Sequence, residues 1–175
     1  DANVLESTKQ SFALSDLVQR LGANSSLSAK PKGIDFCLEA EDCWVYSDAI
    51  LIERLLNNLL DNAINYTAEG SIHLRVFKSE DDTVKIEIED SGLGISKEQQ
   101  LYIFEEFYQV NNHARNSKKG VGLGLSIVKR ICNRLDIPLA ISSELGRGTV
   151  FSLALPSAEP IGQPVKIESE NLPCD

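Results

Sequence analysis

The chain has 175 residues, of which 42% are hydrophobic and 25% charged, and its net charge is −9. That length supports one domain with a sizeable core, and that charge excludes a general nucleic-acid surface or an anionic-membrane surface, though not a small ligand held by local geometry. The four cysteines form no Cys-x-x-Cys pair, and both histidines, His73 and His113, are far from them in sequence, which disfavours a zinc site or a disulfide framework.

From Phe12 to about Ser28 the sequence reads as a short strand edge and then an amphipathic helix. Leu14, Leu17, Val18 and Leu21 form the apolar face, with Ser15 as the expected cap. Lys30 to Gly33 is a turn. Ile34, Phe36 and Leu38 alternate as a strand, and Trp44 to Ser47 reads as a second. A helix is predicted over 48–66, because Ile52, Leu55, Leu56, Leu59, Leu60 and Ala63 recur at helical spacing. Strands are predicted at 71–77 and 83–90, and a short helix at 97–103. From Glu105 to Lys119 the pattern lapses into a polar loop whose length suggests function or mobility. A second apolar helix runs from about Leu123 to Leu135, and strands at 139–143 and 149–155 close the domain. After Pro156, three further prolines and mixed charge read as a linker or tail.

Helices interleaved with strands, several strands being adjacent in sequence, imply an α/β two-layer sandwich: one mixed sheet with helices on one face. The domain is expected to span 12–156, with 1–11 and 157–175 outside it. Cys37 and Cys132 are expected to fill the core as free thiols of a reducing compartment. No apolar run reaches the length of a membrane span, and there is no signal-peptide pattern. The absence of methionine, with Asp at position 1, is what a piece of a longer chain would show.

Four groups of residues could carry chemistry. Asn58 and Asn62 are four apart on the 48–66 helix, so they sit one above the other, and Asn65 and Tyr66 extend that face. An amide carbonyl is a hard oxygen that suits Mg²⁺ without repelling a triphosphate; the same residues also suit a solvated helix face. In Asp90-Ser-Gly-Leu-Gly94, period two puts Asp90 on the apolar side with Ile86 and Ile88. A carboxylate there needs donors, and the exocyclic amine of a purine is one; an Asx turn closing the strand is the other reading. Gly120-Val-Gly-Leu-Gly-Leu125 opens a helix, where bare backbone N–H groups and the helix dipole favour an anion, with Arg115, Lys118 and Lys119 just before it. A hinge at a loop end would use the same glycines. The segment is neither a P-loop, lacking Gly-Lys-Ser/Thr, nor a dinucleotide fingerprint, since position 125 is Leu. Gly146-Arg-Gly-Thr149 lies between the last two strands, where a hairpin alone would account for it.

Together these segments resemble the GHKL ATPase superfamily, and within it the histidine kinases. Asn58-Leu-Leu-Asp-Asn62-Ala-Ile-Asn-Tyr-Thr67 is similar to the N box, Asp90 to Gly94 to the first glycine box, and Phe104-Glu-Glu-Phe107 to the F box. Gly120-Val-Gly-Leu-Gly-Leu-Ser-Ile-Val-Lys129 is similar to the second glycine box and Gly146 to Thr149 to the third, all five in the family's order over about 12–155. The resemblance implies a Bergerat-type fold that binds Mg-ATP. Asn62 would be the protein ligand to Mg²⁺ and Asn58 would line the phosphate side. Asp90 would accept from the adenine amine, with Thr149 supporting the ring through water. Gly120, Gly122 and Gly124 would cradle phosphates, and 105–119 would be a mobile lid. Tyr66, Gly92, Gly94, Ile95, Tyr108, Arg115, Lys118, Lys119, Val121, Leu123 and Leu125 complete the implied ATP-binding set.

The implied reaction moves the γ-phosphoryl of ATP to a histidine on a separate dimerisation hairpin, for which 1–11 would be the junction. His73 is followed by Leu-Arg and His113 by Ala-Arg, so neither matches the acidic and Arg-Thr-Pro-like run that follows an acceptor. The fragment is therefore expected to bind ATP, not to phosphorylate itself, and to be monomeric. Partners implied are that hairpin and a downstream response-regulator receiver domain, without nucleic acid or direct membrane contact, in the cytoplasm. Gyrase, mismatch-repair and chaperone members place a Glu base where this chain has Asn58, and an amide cannot take a proton from water. A degenerate docking module would be expected to lose its glycine boxes. Departures from the family are Asn65, where many members carry a basic residue, and Gln109, where many carry Arg; the Phe-Tyr-Gln-Val-Asn form resembles hybrid kinases.

Overall fold

The structure, a computed structural model, describes residues 6–106, 108 and 124–161. Strand β1 (Gln10–Ala13) leads into helix α1 (Leu14–Ala29), and a 3-10 turn at Lys30–Lys32 leads into β2 (Ile34–Ala40). Strand β3 (Trp44–Ser47) is followed by α2 (Ala49–Tyr66), then by the hairpin of β4 (Gly70–Lys78) and β5 (Thr83–Asp90). A short α3 (Lys97–Gln100), α4 (Gly124–Leu135), β6 (Leu139–Glu144) and β7 (Gly148–Ala158) complete the chain order.

The strands form one mixed sheet in the order β1-β3-β7-β5-β4-β2, with β6 also paired to β7. Only the β2–β4 pair is parallel among the described strands. Strand β7 is long enough to carry β6 along its first half and the start of β3 along its last two residues. Ser157 and Ala158 are thus part of the sheet, as are Gln10 and Ser11, so regular structure extends two residues past each end of the 12–156 span.

Helix α2 lies against the sheet because Ile52, Leu55, Leu56, Leu59 and Leu60 fall on one stripe, each at most 1% exposed. The opposing sheet face is Ile72, Leu74 and Val76 of β4, Val84, Ile86 and Ile88 of β5, and Phe151, Leu153 and Leu155 of β7, all buried. Each such side chain contributes about 1.5–3 kcal/mol relative to exposure. Val128, Ile131, Cys132 and Leu135 of α4 and Leu14, Val18 and Leu21 of α1 close the same core. Asp48 starts α2, its Oδ1 accepting from the N–H groups of Ile50 and Leu51 at 3.0 Å, as an N-cap carboxylate does. Its other oxygen accepts from Thr8 N–H at 2.7 Å, tying the segment before β1 to the start of α2.

Three local expectations are corrected. Ser15 does not cap α1: the residue at that position is Ala13, without a side-chain bond, and Ser15 Oγ instead donates to Asp42 Oδ1. Cys37 is exposed, because β2 alternates and puts Cys37 with Asp35 and Glu39 on the outer face; the buried thiols are Cys43 and Cys132. The 97–103 helix is only four residues long. Ser96 and Gln99 form a capping box at its start, and 101–106 then continue as turns. Cys174 lies outside the described residues.

Candidate active site

The C-terminal end of β5 is where the aliphatic sheet face ends. Register places Asp90 between Ile72 of β4 and Thr149 of β7, one pair beyond Leu74, Ile88 and Phe151. Asp90 is 8% exposed and Thr149 5%, so the alternation seen in the sequence does bury the carboxylate. Asp90 Oδ1 accepts from Gly92 N–H at 2.9 Å. Burial raises the Asp90 pKa, while the backbone N–H groups of Gly92 and Thr149 partly offset that, as expected for a desolvated acid with few donors.

Above this carboxylate opens a cleft at the ends of β5 and β7. Its apolar walls are Leu93, Ile95, Ile103, Leu125 and Phe151; Asn62, Tyr66, Asp90 and Thr149 supply the polar groups, and Gly94, Tyr108 and Gly124 complete the rim. A cleft with apolar walls and one buried carboxylate suits a heteroaromatic ring that presents an N–H donor.

The loop after Asp90 is held against the β6–β7 hairpin. Gly146 N–H donates to Leu93 O at 2.7 Å, and Ile95 N–H to Ser143 Oγ at 2.8 Å. Ser143 Oγ donates to Gly148 O at 2.9 Å and lies 2.8 Å from Thr149 Oγ1. Gln100 Nε2 donates to Ile95 O and Ser143 O. Two glycines permit this approach. Gly94 has φ +69 and a Cβ there would lie 2.0 Å from Glu144 O; Gly148 has φ +106 and a Cβ would lie 1.9 Å from Asp90 O. Only glycine takes such backbone without strain or overlap.

Of the polar face of α2, Asn62 and Tyr66 reach the cleft, and burial raises the Tyr66 phenol pKa. Asn58 donates Nδ2–H to Arg54 O at 2.8 Å and turns Oδ1 toward Gly124, at the start of α4. Asn65 is exposed and does not line the slot. Gly92 does not line the cleft. Tyr108 stands 6.0 Å from Tyr102, ring to ring, and Lys129 Nζ lies 5.8 Å from the Phe104 ring centre. Gln109, Arg115, Lys118, Lys119, Gly120, Val121, Gly122 and Leu123 lie outside the described residues, as does most of the 105–119 loop. Among the described residues there is no cluster of three acidic, histidine or cysteine side chains that could hold a metal.

Sequence reasoning missed Leu93, Ile103, Phe151 and Ser143. Phe151 was legible, since it lies two residues beyond Thr149 on the same face of a strand. Ser143 could not be found without the register of β6.

A two-layer α/β sandwich with a cleft lined by α2, the start of α4 and the ends of β5 and β7 is the layout of an ATP-binding domain of the histidine kinase-like ATPases. The chain belongs to the family described as histidine kinase-, DNA gyrase B-, and HSP90-like ATPase, whose model matches residues 47–159. It is 32% identical over 167 residues to hybrid signal transduction histidine kinase B of Dictyostelium discoideum, covering 91% of this chain and 8% of that protein. It is 33% identical over 135 residues to aerobic respiration control sensor protein ArcB of Escherichia coli K12, covering 75% of this chain and 17% of that one. The chain thus spans less than a fifth of either relative. Among solved structures, full-length ShkA in complex with AMPPNP superposes with a TM-score of 0.78 at 25% identity, covering 91% of this chain and 33% of that one. The nucleotide-free catalytic domain of histidine kinase ThkA gives 0.71 at 28%, covering 85% and 97%. No described helix is long and apolar enough to cross a membrane.

Proposed function

We propose that this domain binds Mg-ATP in the cleft and passes the γ-phosphoryl to a histidine nitrogen on a separate dimerisation hairpin of the same parent kinase, releasing ADP. The observation that carries the reading is Asp90, a carboxylate buried beside Thr149 in a cleft with apolar walls. It accepts from the adenine amine, and Thr149 supports the ring through water. Leu93, Ile95, Ile103 and Phe151 exclude water from the ring faces. Tyr66, Gly94, Tyr108 and Leu125 complete the pocket, and Gly92 holds the Asp90 carboxylate through its N–H. Asn58 faces the phosphate side from below the first turn of α4, whose N-terminal N–H groups favour an anion. Gly120, Gly122 and Gly124, with Val121 and Leu123 between them and Arg115, Lys118 and Lys119 before them, form the phosphate cradle.

Asn62 is the residue that would hold Mg²⁺, an ion that keeps most of its waters and needs few protein ligands beside phosphates. When bound, it neutralises charge on the β and γ oxygens. Neutral imidazole is already a nucleophile, so a strong base on this chain is not needed, which fits Asn58 standing in place of a carboxylate. His73 lies in β4 on the sheet face away from the helices, a poor place for an acceptor. The parent kinase works in the cytoplasm, where its phosphohistidine supplies a response-regulator receiver domain; this segment alone is a monomer without nucleic-acid or direct membrane contact. The segment before β1 is the junction to the hairpin, and the segment after β7 leads on from the domain.

Calorimetric titration of ATP with and without Mg²⁺ tests the binding step. Radiolabel from γ-labelled ATP should appear only on an added histidine-bearing hairpin. Stable label on this chain alone would refute the division of labour, and no ATP binding would leave a docking module.

A further inference from the structure

Helix α3 is one turn long and buries none of its four side chains. The two residues after it, Leu101 and Tyr102, are exposed as well, so burial holds nothing in place until Ile103. A single turn has little stability of its own. The capping box, Gln99 N–H to Ser96 Oγ at 3.3 Å and Ser96 N–H to Gln99 Oε1 at 3.2 Å, shapes the turn without tying it to the sheet. Gln100 is the side chain that reaches out of it. Its Nε2 donates to Ile95 O at 2.9 Å and to Ser143 O of β6 at 3.2 Å. The two protons of one amide nitrogen thus meet two carbonyl oxygens. Ile95 N–H also donates to Ser143 Oγ at 2.8 Å, so Ile95 and Ser143 are joined twice, once directly and once through Gln100.

The segment fixed by this ring of bonds supplies much of the cleft. Leu93, Gly94 and Ile95 line it before α3, and Ile103 and Tyr108 line it after. Backbone bonds carry the position of α3 forward: Tyr102 N–H and Ile103 N–H donate to Gln99 O at 2.9 and 3.1 Å, and Glu105 N–H to Tyr102 O at 2.9 Å. On the other side of the ring, Ser143 pairs with Thr149 of β7, which lines the cleft together with Phe151. Gln100 does not line the cleft; it stands between the two segments that do.

We propose that Gln100 is a positioning residue for the nucleotide: its amide clamps the segment from Ile95 to Tyr108 onto β6 and so sets how Ile95 and Ile103 stand relative to Thr149 and Phe151. This rests on the cleft being the ATP site. Gln100 acts through Ile95 and Ser143 and touches no ligand itself. Without its two donors, both carbonyl oxygens lose a partner, Ile95 keeps only its N–H bond to β6, and α3 can move away with Ile103. Binding must then order a wall that the clamp otherwise holds ready, and affinity falls by that ordering cost.

The test uses the whole chain as wild type, Gln100→Leu, Gln100→Glu and Gln100→Lys, titrated with Mg-ATP by calorimetry at neutral pH well below melting, beside hydrogen exchange without nucleotide. All four residues are good helix formers of similar propensity, so α3 forms alike in each. Leucine has no donor, ionised glutamate only accepts, and lysine keeps several donors at similar reach. Gln100→Leu and Gln100→Glu should lose ATP affinity about tenfold, the equivalent of one to two neutral hydrogen bonds. Their peptides from 95–106 should exchange faster while those from α2 are unchanged. Gln100→Lys should stay within about threefold of the wild type, since its donors can serve the same carbonyl oxygens. If the wild type binds ATP and Gln100→Leu and Gln100→Glu match it, the role assigned to Gln100 is wrong while the cleft reading stands. Equal losses in all three variants would mean that the donor is not what matters, and unchanged exchange at 95–106 would mean that nothing was clamped; either overturns the inference. A wild type that binds no ATP overturns the cleft reading and this inference together.

Discussion

Asp90 and Thr149 are direct partners across the antiparallel β5–β7 pair, so a carboxylate and a hydroxyl stand side by side where the aliphatic sheet face ends. Asp90→Asn keeps the shape and an oxygen for Gly92 N–H but puts an amide where the amine must be accepted. ATP affinity should fall by about 10- to 150-fold, the equivalent of 1.5–3 kcal/mol, by calorimetry. Stability should move the other way. Burial raises the folded pKa of Asp90 above its unfolded value, so its favourable contribution is full only below the unfolded carboxylate pKa and is lost as pH rises through the folded one. At neutral pH the ligand-free variant should melt at or above the wild type, and the gap should close as pH falls through the carboxylate range. A variant less stable at pH 7 would mean that the charge serves the fold and not a ligand.

Much of this site was legible because its parts are periodic. Alternation in β5 placed Asp90 beside Ile88, and helical spacing placed Asn62 and Tyr66 on one face of α2. What stayed hidden depends on register and on contacts between distant segments. Ser143 is an ordinary strand serine until β6 pairs with β7. Cys37 was misjudged for a related reason: residue type favours burial, but strand parity exposes it.

Ser143 joins the loop after Asp90 to the β6–β7 hairpin through Ile95 N–H, Gly148 O and Thr149 Oγ1. Ser143→Ala leaves at least one partly buried N–H without an acceptor and frees the Thr149 hydroxyl. A loss of about 1–3 kcal/mol is expected, read as a lower denaturant midpoint at unchanged slope. ATP affinity should fall severalfold, because both strands that frame the purine edge loosen.

Glycine substitutions separate backbone strain from crowding. Gly94→Ala adds a Cβ 2.0 Å from Glu144 O at φ +69, whereas Gly146→Ala has φ +83 but nothing within 4 Å. The second should cost only the left-handed penalty, about 1–2 kcal/mol. The first must also push the loop off the hairpin, breaking the Gly146 to Leu93 bond, and should cost clearly more and abolish ATP binding. Equal melting temperatures for the two variants would show that the loop moves away freely.

The thiols give a readout independent of any ligand. Burial pushes the Cys132 pKa up to about 11 from 9.0, which shrinks its reactive thiolate about a hundredfold at neutral pH, and its position in the α4 core blocks access besides. Burial raises Cys43 as well. Cys37 is exposed on the outer face of β2. Brief alkylation at pH 7.5, mapped by peptide mass, should therefore modify Cys37 while sparing Cys43 and Cys132, with both becoming reactive in denaturant. Because α4 packs on α2 through the residues around Cys132, its labelling rate reports opening of the helical layer. A substitution such as Leu56→Ala, expected to cost about 2–5 kcal/mol, should raise that rate under native conditions without altering the rate at Cys37.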